Sequence, residues 1–258
     1  ANRFPLVQTA EVVKMNRKIG LGIMGFADLL VRMGLPYGSS ASLRLADKLM
    51  AFIRERAERT SRTIAESRGS FPSIDASIIK GPRRNATLLS IAPTGTISLI
   101  AGCSSGIEPY YAVSYSRRAL EGQRLYEVLP LFKEAARKGG FLSPELLEKI
   151  AGTRSIQGLK DVPSDVRQVF LTAHDIPPGD QIDMQAAFQR HVDNAVSKTI
   201  NLSASATWAD VRHIFIHAHR RGCKGITVYR EGSRPDQVLT STRNRRCCPV
   251  CGRFVHSE

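Results

Sequence analysis

Short apolar runs recur along the chain, each separated from the next by a long segment of helical periodicity. NATLLSIAP (85–93), KTINLS (198–203) and KGITVYR (224–230) are too short for helices, and the first is closed by Pro93. Runs of this kind suit buried strands. YYAVSYS (110–116) is expected to be a further strand from its β-branched and aromatic content. Between these runs, ASLRLADKLMAFIRERAERTSRTIAESR (41–68) carries Leu43, Leu45, Ala46, Leu49, Met50, Ile53, Ala57 and Ile64 near helical spacing and stops at Gly69. TWADVRHIFIHAHRRG repeats the pattern with Val211, Ile214, Phe215 and Ala218. DMQAAFQRHVDNAVS (183–197), RLYEVLPLFKEAARKGG (124–140), SPELLEKIAG with Ser143 as N-cap, and PSDVRQVFLTA also read as helices. Strands alternating with long helices predict an α/β fold with mostly parallel strands.

The bulk properties narrow the partners. Lys and Arg number 37 against 23 Asp and Glu, a net charge of +14, which favours anionic partners such as nucleotides, nucleic acid or an acidic surface. The basic residues are scattered, and the Arg54 to Arg62 run reads as the solvated face of its helix. Without a basic stripe interleaved with aromatics, nucleic acid is not the expected partner. No run approaches the roughly 18 apolar residues of a membrane span, so no membrane role is expected. ANRFPLVQTAEVVKMN lacks the layout of a signal peptide, which predicts a cytoplasmic protein. Three of the five cysteines crowd into the last dozen residues, unlike a secreted disulfide framework.

Two glycine-bearing stretches compete as nucleotide sites. In RKIGLGIMGFADLL, Gly20, Gly22 and Gly25 spell G-x-G-x-x-G, a dinucleotide fingerprint only if a strand precedes and an acid closes the next strand. EVVKMNRK reads instead as helix or irregular lead-in, and Asp47 falls inside the long helix. The second stretch, SIAPTGTISLIAGCSSGIEP (90–109), brings a buried strand into a tight turn of Pro93, Thr94, Gly95 and Thr96, with Ser98 just beyond. Such a turn exposes consecutive backbone N–H groups and adds hydroxyls, so it can cradle a phosphate without a cationic side chain. It is equally a plain strand-ending turn rich in small residues. His213 and His217 are spaced i, i+4, but HIFIH lacks the glutamate of H-E-x-x-H and lies at the edge of an apolar stripe, so these are expected to be boundary histidines.

RRNATLLSIAPTGTISLIAGCSSGIEPYYA resembles the catalytic subunit of ribonucleotide reductases, in particular the adenosylcobalamin-dependent class II enzymes. MQAAFQRHVDNAVSKTINL (184–202), GCKGITVYREGSR (222–234) and RKIGLGIMGFADLL continue the resemblance in the family's order. The resemblance implies the C-terminal portion of a ten-stranded α/β barrel over residues 1–232, a linker at 233–246 and a flexible tail at 247–258. It implies that Pro93, Thr94, Gly95, Thr96, Ile97 and Ser98 bind the phosphates of a ribonucleoside di- or triphosphate, which is reduced to the deoxyribonucleotide by thiyl-radical chemistry. Adenosylcobalamin would be the cofactor. A thioredoxin- or glutaredoxin-type reductant and the remaining N-terminal part of the reductase would be the partners. RKIGLGIMGFADLL would then be a barrel strand and turn entering a helix, its glycines permitting close packing.

The sequence departs from the family pattern in one decisive respect. The radical cysteine of the family sits in Asn-x-Cys-x-Glu, and no such motif occurs in the 258 residues, where Cys103 lies in AGCSSG and Cys223 in RGCKG. By itself the chain is expected to be unable to reduce a ribonucleotide. Iron-dependent relatives carry two adjacent tyrosines at the KGITVYR strand, where this chain has Val228-Tyr229, which fits a locally generated radical. In the tail CCPVCGRFVHSE, Cys248 and Cys251 form Cys-x-x-Cys, with Cys247 and His256 nearby. The pair can close a redox disulfide or supply half of a zinc site. Two alternatives stay open: a member of the same superfamily with a metal-generated radical, and a non-catalytic nucleotide- or nucleic-acid-binding module on this scaffold.

Overall fold

The computed structural model describes residues 3–118, 124–151 and 153–233, so the Cys-x-x-Cys tail and nearly all of the linker lie outside the described residues. Helices α1 (Val7–Asn16), α2 (Phe26–Arg32) and α3 (Ser40–Arg68) open the chain. Of the two readings of the lead-in to the glycines, helix or irregular, the structure has helix as far as Asn16. α3 is 29 residues long, starts on Ser39, whose side chain accepts the Ser42 amide at 3.2 Å, and gives way to Gly69. Ala46, Met50, Ser61 and Ala65 form its buried stripe, while Arg54, Arg56, Arg59 and Arg62 are exposed, as expected of a solvated face.

The central layer is parallel. The Ile19 amide donates to Thr87 O (3.1 Å), Leu21 to Leu88 O (2.8 Å) and Ser90 back to Leu21 O (2.9 Å). On its other side the 87–91 segment receives the Asn194 amide at Leu89 O (3.3 Å) and the Ser197 amide at Ile91 O (3.0 Å). The chain continues from there into β3 (Thr199–Leu202), which pairs in parallel with β4 (Thr227–Arg230). The lateral order is thus 19–21, 87–91, 194–202, 227–230, and all four segments run in one direction. NATLLSIAP, KTINLS and KGITVYR are extended and paired, as their apolar runs predict.

Helix α8 (Pro178–Gln189) is the spine against which this layer packs, with every residue from Met184 to Gln189 buried. Phe188 meets Phe26 of α2 edge-on at 5.0 Å, and Met50 of α3 joins the same cluster with Leu88, Leu89 and Ile91. Fully burying side chains of this size contributes about 1.5–3 kcal/mol each. Gln181, Gln185 and Gln189, four apart on one helix, each donate two hydrogen bonds to backbone carbonyls of neighbouring loops. Buried amides at this spacing tie α8 to segment 173–176, to segment 192–196 and to Gly225 while satisfying carbonyls that burial would strand. α9 (Trp208–Arg220) packs on α8 through Ile214 and Ala218 and begins with a capping box of Thr207 and Asp210. His213 is exposed and His217 half-buried on Asp183 at 3.1 Å, the boundary placement expected at the edge of the apolar stripe.

Three boundaries differ from the sequence reading. RLYEV is not the start of a helix: β2 (Arg124–Val128) pairs antiparallel with β1 (Ser114–Arg118), and α5 (Pro130–Lys138) begins only at its proline. Proline is compatible with the first helical turn but not with an interior, so the helix starts there. Of YYAVSYS, only Ser114 onward joins β1, whereas Tyr110 makes a parallel bridge to Thr172. The α8 helix runs from Pro178 to Gln189 and not from 183 to 197, because Asp193 is drawn off to accept the amides of Leu88 (2.7 Å) and Leu89 (3.0 Å). α6 (Pro144–Ala151) lies where expected, the Leu146 amide donating to Ser143 Oγ at 3.1 Å, and α7 (Ser164–Val169) starts where expected but ends before Thr172, which bridges to Tyr110. No helix among the described residues is long and apolar enough to cross a membrane.

Candidate phosphate-binding site

The 87–91 segment delivers the chain to the turn 92–95, where Thr94 adopts φ 53°, ψ 22°. A non-glycine residue in the left-handed region is uncommon and costs free energy, so the surroundings must impose it. They do so through the following loop. Thr94 Oγ1 accepts the Gly106 amide at 2.7 Å, and Ser105 Oγ donates to the Pro93 carbonyl at 2.5 Å. Gly106 itself has φ 46°, and a β carbon there would come within 3.2 Å of the Ala92 carbonyl.

Thr94 also caps α4 (Gly95–Ala101), whose first ladder bond runs from the Ser98 amide to the Thr94 carbonyl at 2.9 Å. The Gly95, Thr96 and Ile97 amides therefore have no acceptor within the helix. Pro93, Gly95, Thr96 and Ile97 are exposed, so these amides head an open surface. The hydroxyls divide. Thr94 Oγ1 is committed to Gly106, and Ser98 is buried with its hydroxyl on the Gly95 carbonyl at 3.0 Å, while Thr96 is exposed. The six residues named from sequence are thus one contiguous unit in which backbone amides and Thr96 face outward and the Thr94 and Ser98 side chains brace the turn.

The loop 103–109 is held on two further sides. Asp28, in the first turn of α2, accepts the Ser104 amide on Oδ2 at 2.7 Å and the Tyr110 hydroxyl on Oδ1. Burial and that hydrogen bond push the Tyr110 phenol far above its ordinary range. Gly25 donates its amide to the Ser104 carbonyl at 2.7 Å, so the third glycine of the opening motif docks on the loop that braces Thr94. Glu108 reaches the start of β3, accepting the Thr199 amide at 2.6 Å and Lys198 Nζ at 2.7 Å. Sequence reasoning missed Glu108, Lys198 and Gln181. The available signal was a lysine at the head of a short apolar run.

Cys103 sits half-buried against Gly25, and burial, with the Asp28 carboxylate nearby, pushes its thiol above the ordinary range. Burial likewise raises the Cys223 thiol. Both are poor thiolates, in keeping with packing roles. Cys248 and Cys251 lie outside the described residues. Because the sheet is parallel, Pro93 and Ser203 leave their strands at the same end, the end where α/β proteins place ligands. A cleft of about 530 Å³ opens there beside β3, lined by His174, Asn201, Ser203, Asp210, His213 and His217 among others. Burial, reinforced by Arg154, holds the His174 imidazole below its ordinary range. Among the described residues no group of three or more His, Cys, Asp or Glu could hold a metal.

The chain is 49% identical over 242 residues to a vitamin B12-dependent ribonucleoside-diphosphate reductase of Mycobacterium tuberculosis, a match covering 93% of this chain and 35% of that protein. A protein of the same name from Thermoplasma acidophilum is 46% identical over 244 residues, 93% of this chain and 32% of that one. The chain thus spans about a third of the length of these curated relatives. In fold it is similar to the class Id ribonucleotide reductase alpha subunit of Actinobacillus ureae, with a TM-score of 0.75 at 22% identity over 86% of this chain and 40% of that one. Residues 1–82 and 73–229 match the family described as ribonucleotide reductase, barrel domain, and with nearly the whole described chain inside that match, the chain belongs to this family.

Proposed function

We propose that this chain supplies the substrate-phosphate turn of a ribonucleotide reductase catalytic subunit, and that the complete catalytic assembly reduces ribonucleoside di- or triphosphates for deoxynucleotide supply. The observation that carries this reading is the left-handed Thr94 at the head of α4, which sets three backbone amides and the Thr96 side chain on an open surface at the carboxyl end of a parallel strand. Oriented amides of this kind hold an anion without a formal charge. Fixing the phosphate end of the substrate orients the ribose for chemistry carried out elsewhere, a gain of effective concentration.

Residues 1–232 then act as the C-terminal part of the barrel, and residues 233–258 as linker and Cys-x-x-Cys tail. The names of the relatives support a cobalamin as the cofactor of the assembly, and the form proposed is adenosylcobalamin. Among the described residues the cleft beside β3, of about 530 Å³, has the size of a small-molecule pocket, so the corrin is proposed to sit against the N-terminal part of the reductase. The residues supplying Asn-x-Cys-x-Glu must come from the N-terminal part of the reductase, the partner proposed for the exposed Leu6, Val7, Val12, Ile19 and Leu21 and for Ile97, Leu99 and Ile100. Cys248 and Cys251 carry electrons from a thioredoxin- or glutaredoxin-type reductant, or hold zinc with ligands from elsewhere.

Calorimetric titration of the native polypeptide with a ribonucleoside diphosphate and with inorganic pyrophosphate tests the turn. Binding of both, lost together on replacing Gly95 and Thr96 by proline and valine, is expected. Absence of binding by the unaltered protein overturns the reading.

A further inference from the structure

Lys198 is the most completely enclosed charge of the described chain, with its side chain fully inaccessible. Its three ammonium protons go to Glu108 Oε2 (2.7 Å), the Thr199 carbonyl (2.7 Å) and Gln181 Oε1 (3.1 Å), which exhausts its donors. Glu108 spends its other oxygen on the Thr199 amide at 2.6 Å. Burial draws the ammonium below its ordinary range and the carboxylate opposes that shift. A charge buried at this depth is tolerated only with such partners, and removing one leaves the other stranded. The pair is not near the surface presented by Gly95 to Ile97 in sequence, yet its bonds lead there step by step.

The Glu108 amide donates to the Ser105 carbonyl at 2.9 Å, Ser105 Oγ donates to the Pro93 carbonyl, and the adjacent Gly106 amide donates to Thr94 Oγ1. At the far end, Ser197, beside Lys198, donates to the Ile91 carbonyl at 3.0 Å, on the very segment that enters the turn. The connections form a closed circuit: strand 87–91, turn, loop 103–109, Glu108, Lys198, β3, and back to the strand. Tyr37 pins the same loop from another side through its hydroxyl to the Ile107 carbonyl at 2.8 Å.

We propose that the Lys198–Glu108 ion pair is the positioning element of the phosphate turn, clamping loop 103–109 to β3 so that Ser105 and Gly106 hold Thr94 in its left-handed conformation. Neither residue touches the anion. The inference rests on the reading of this turn as a phosphate site, and the two are tested by separate measurements. Hydrogen–deuterium exchange at the Gly106 amide reports the clamp without any ligand, and calorimetry with inorganic pyrophosphate reports the anion site, both on the native polypeptide carrying this chain.

Lys198→Met is expected to speed Gly106 exchange at least tenfold while the Ala218 amide in α9 keeps its rate, and to raise the pyrophosphate Kd at least tenfold. Glu108→Gln, which retains an acceptor for the Thr199 amide and nearly the same shape, is the second variant should Lys198→Met fail to fold. It is expected to give the same pattern at smaller amplitude. Gly106 exchange unchanged in a folded variant overturns the proposal whatever happens to the anion. A uniform rise that includes Ala218 in both variants also overturns it, since the pair then supports the fold as a whole. If the unaltered protein ignores pyrophosphate, the phosphate reading fails, and the exchange data still decide whether the pair clamps the turn.

Discussion

Gly22 lies so close to Ser90 that a β carbon on it would stand 2.1 Å from the Ser90 carbonyl oxygen. The segment around it pairs with 87–91, the strand that leads to the proposed phosphate turn, so the contact sets how near the two backbones come. Gly22→Ala forces that pairing apart, and overpacking of this kind costs about 1–3 kcal/mol. Urea denaturation of the variant is expected to show a midpoint lowered accordingly, with the slope retained.

Thr94→Val keeps the volume and branching of the side chain and removes the acceptor of the Gly106 amide. Gly106 is buried, so its N–H is left without a partner, at a cost of about 1–3 kcal/mol. The same substitution is expected to weaken pyrophosphate binding, whereas Thr94→Ser, which keeps the hydroxyl, restores both stability and binding. Equal loss for Val and Ser would show that the hydroxyl does not hold the turn.

Asp47 joins α3 to the end of α8, accepting from Arg190 at 2.9 Å and contacting His191 Nε2 at 2.9 Å. Hydrogen bonds from His191 and Arg190 hold its carboxyl below the ordinary carboxylate range. A folded-state value below the unfolded one means that Asp47 stabilises the fold fully above the unfolded carboxylate range and loses that contribution as pH falls through the folded value. The loss therefore comes only below about pH 4, where an unperturbed aspartate titrates. In Asp47→Asn the acid limb of a stability–pH profile is expected to be shallower below about pH 4 than in the unaltered chain. The site is solvent-exposed, so added salt should shrink the difference.

The 258-residue chain alone, supplied with adenosylcobalamin, a dithiol and a ribonucleoside diphosphate, is expected to form no deoxyribonucleotide, because it contains no Asn-x-Cys-x-Glu. Adding the polypeptide that carries this motif should restore turnover. Chromatographic detection of deoxyribonucleotide decides the matter, and product from the isolated chain would overturn the expectation.

Much of the fold was legible because local spacing encodes period. The long stripe of α3, the Thr207 start of α9 and the apolar runs of the parallel layer each state their structure within a few residues. The glycines of RKIGLGIMGF were legible only by context: their spacing fits a dinucleotide turn, but the helix before them and the close contact with Ser90 make them packing residues. The apolar positions of RLYEV suit either period, and only pairing with β1 selects the strand. The ion pair of Lys198 with Glu108 spans 90 residues and has no local signature at all.

From the sequence alone came the α/β alternation, the tight turn entered at Pro93 and the family to which these motifs point, since periodicity, turn chemistry and motif order are properties of neighbouring residues, while the helix α4 that starts at Gly95 was not legible there. The tertiary structure decided which hydroxyls of that turn face outward, which carboxylate meets the buried lysine, and why Thr94 accepts a left-handed backbone. Each of those outcomes depends on segments far apart in the chain arriving at the same place, and burial there makes every polar atom find a partner or stand unsatisfied.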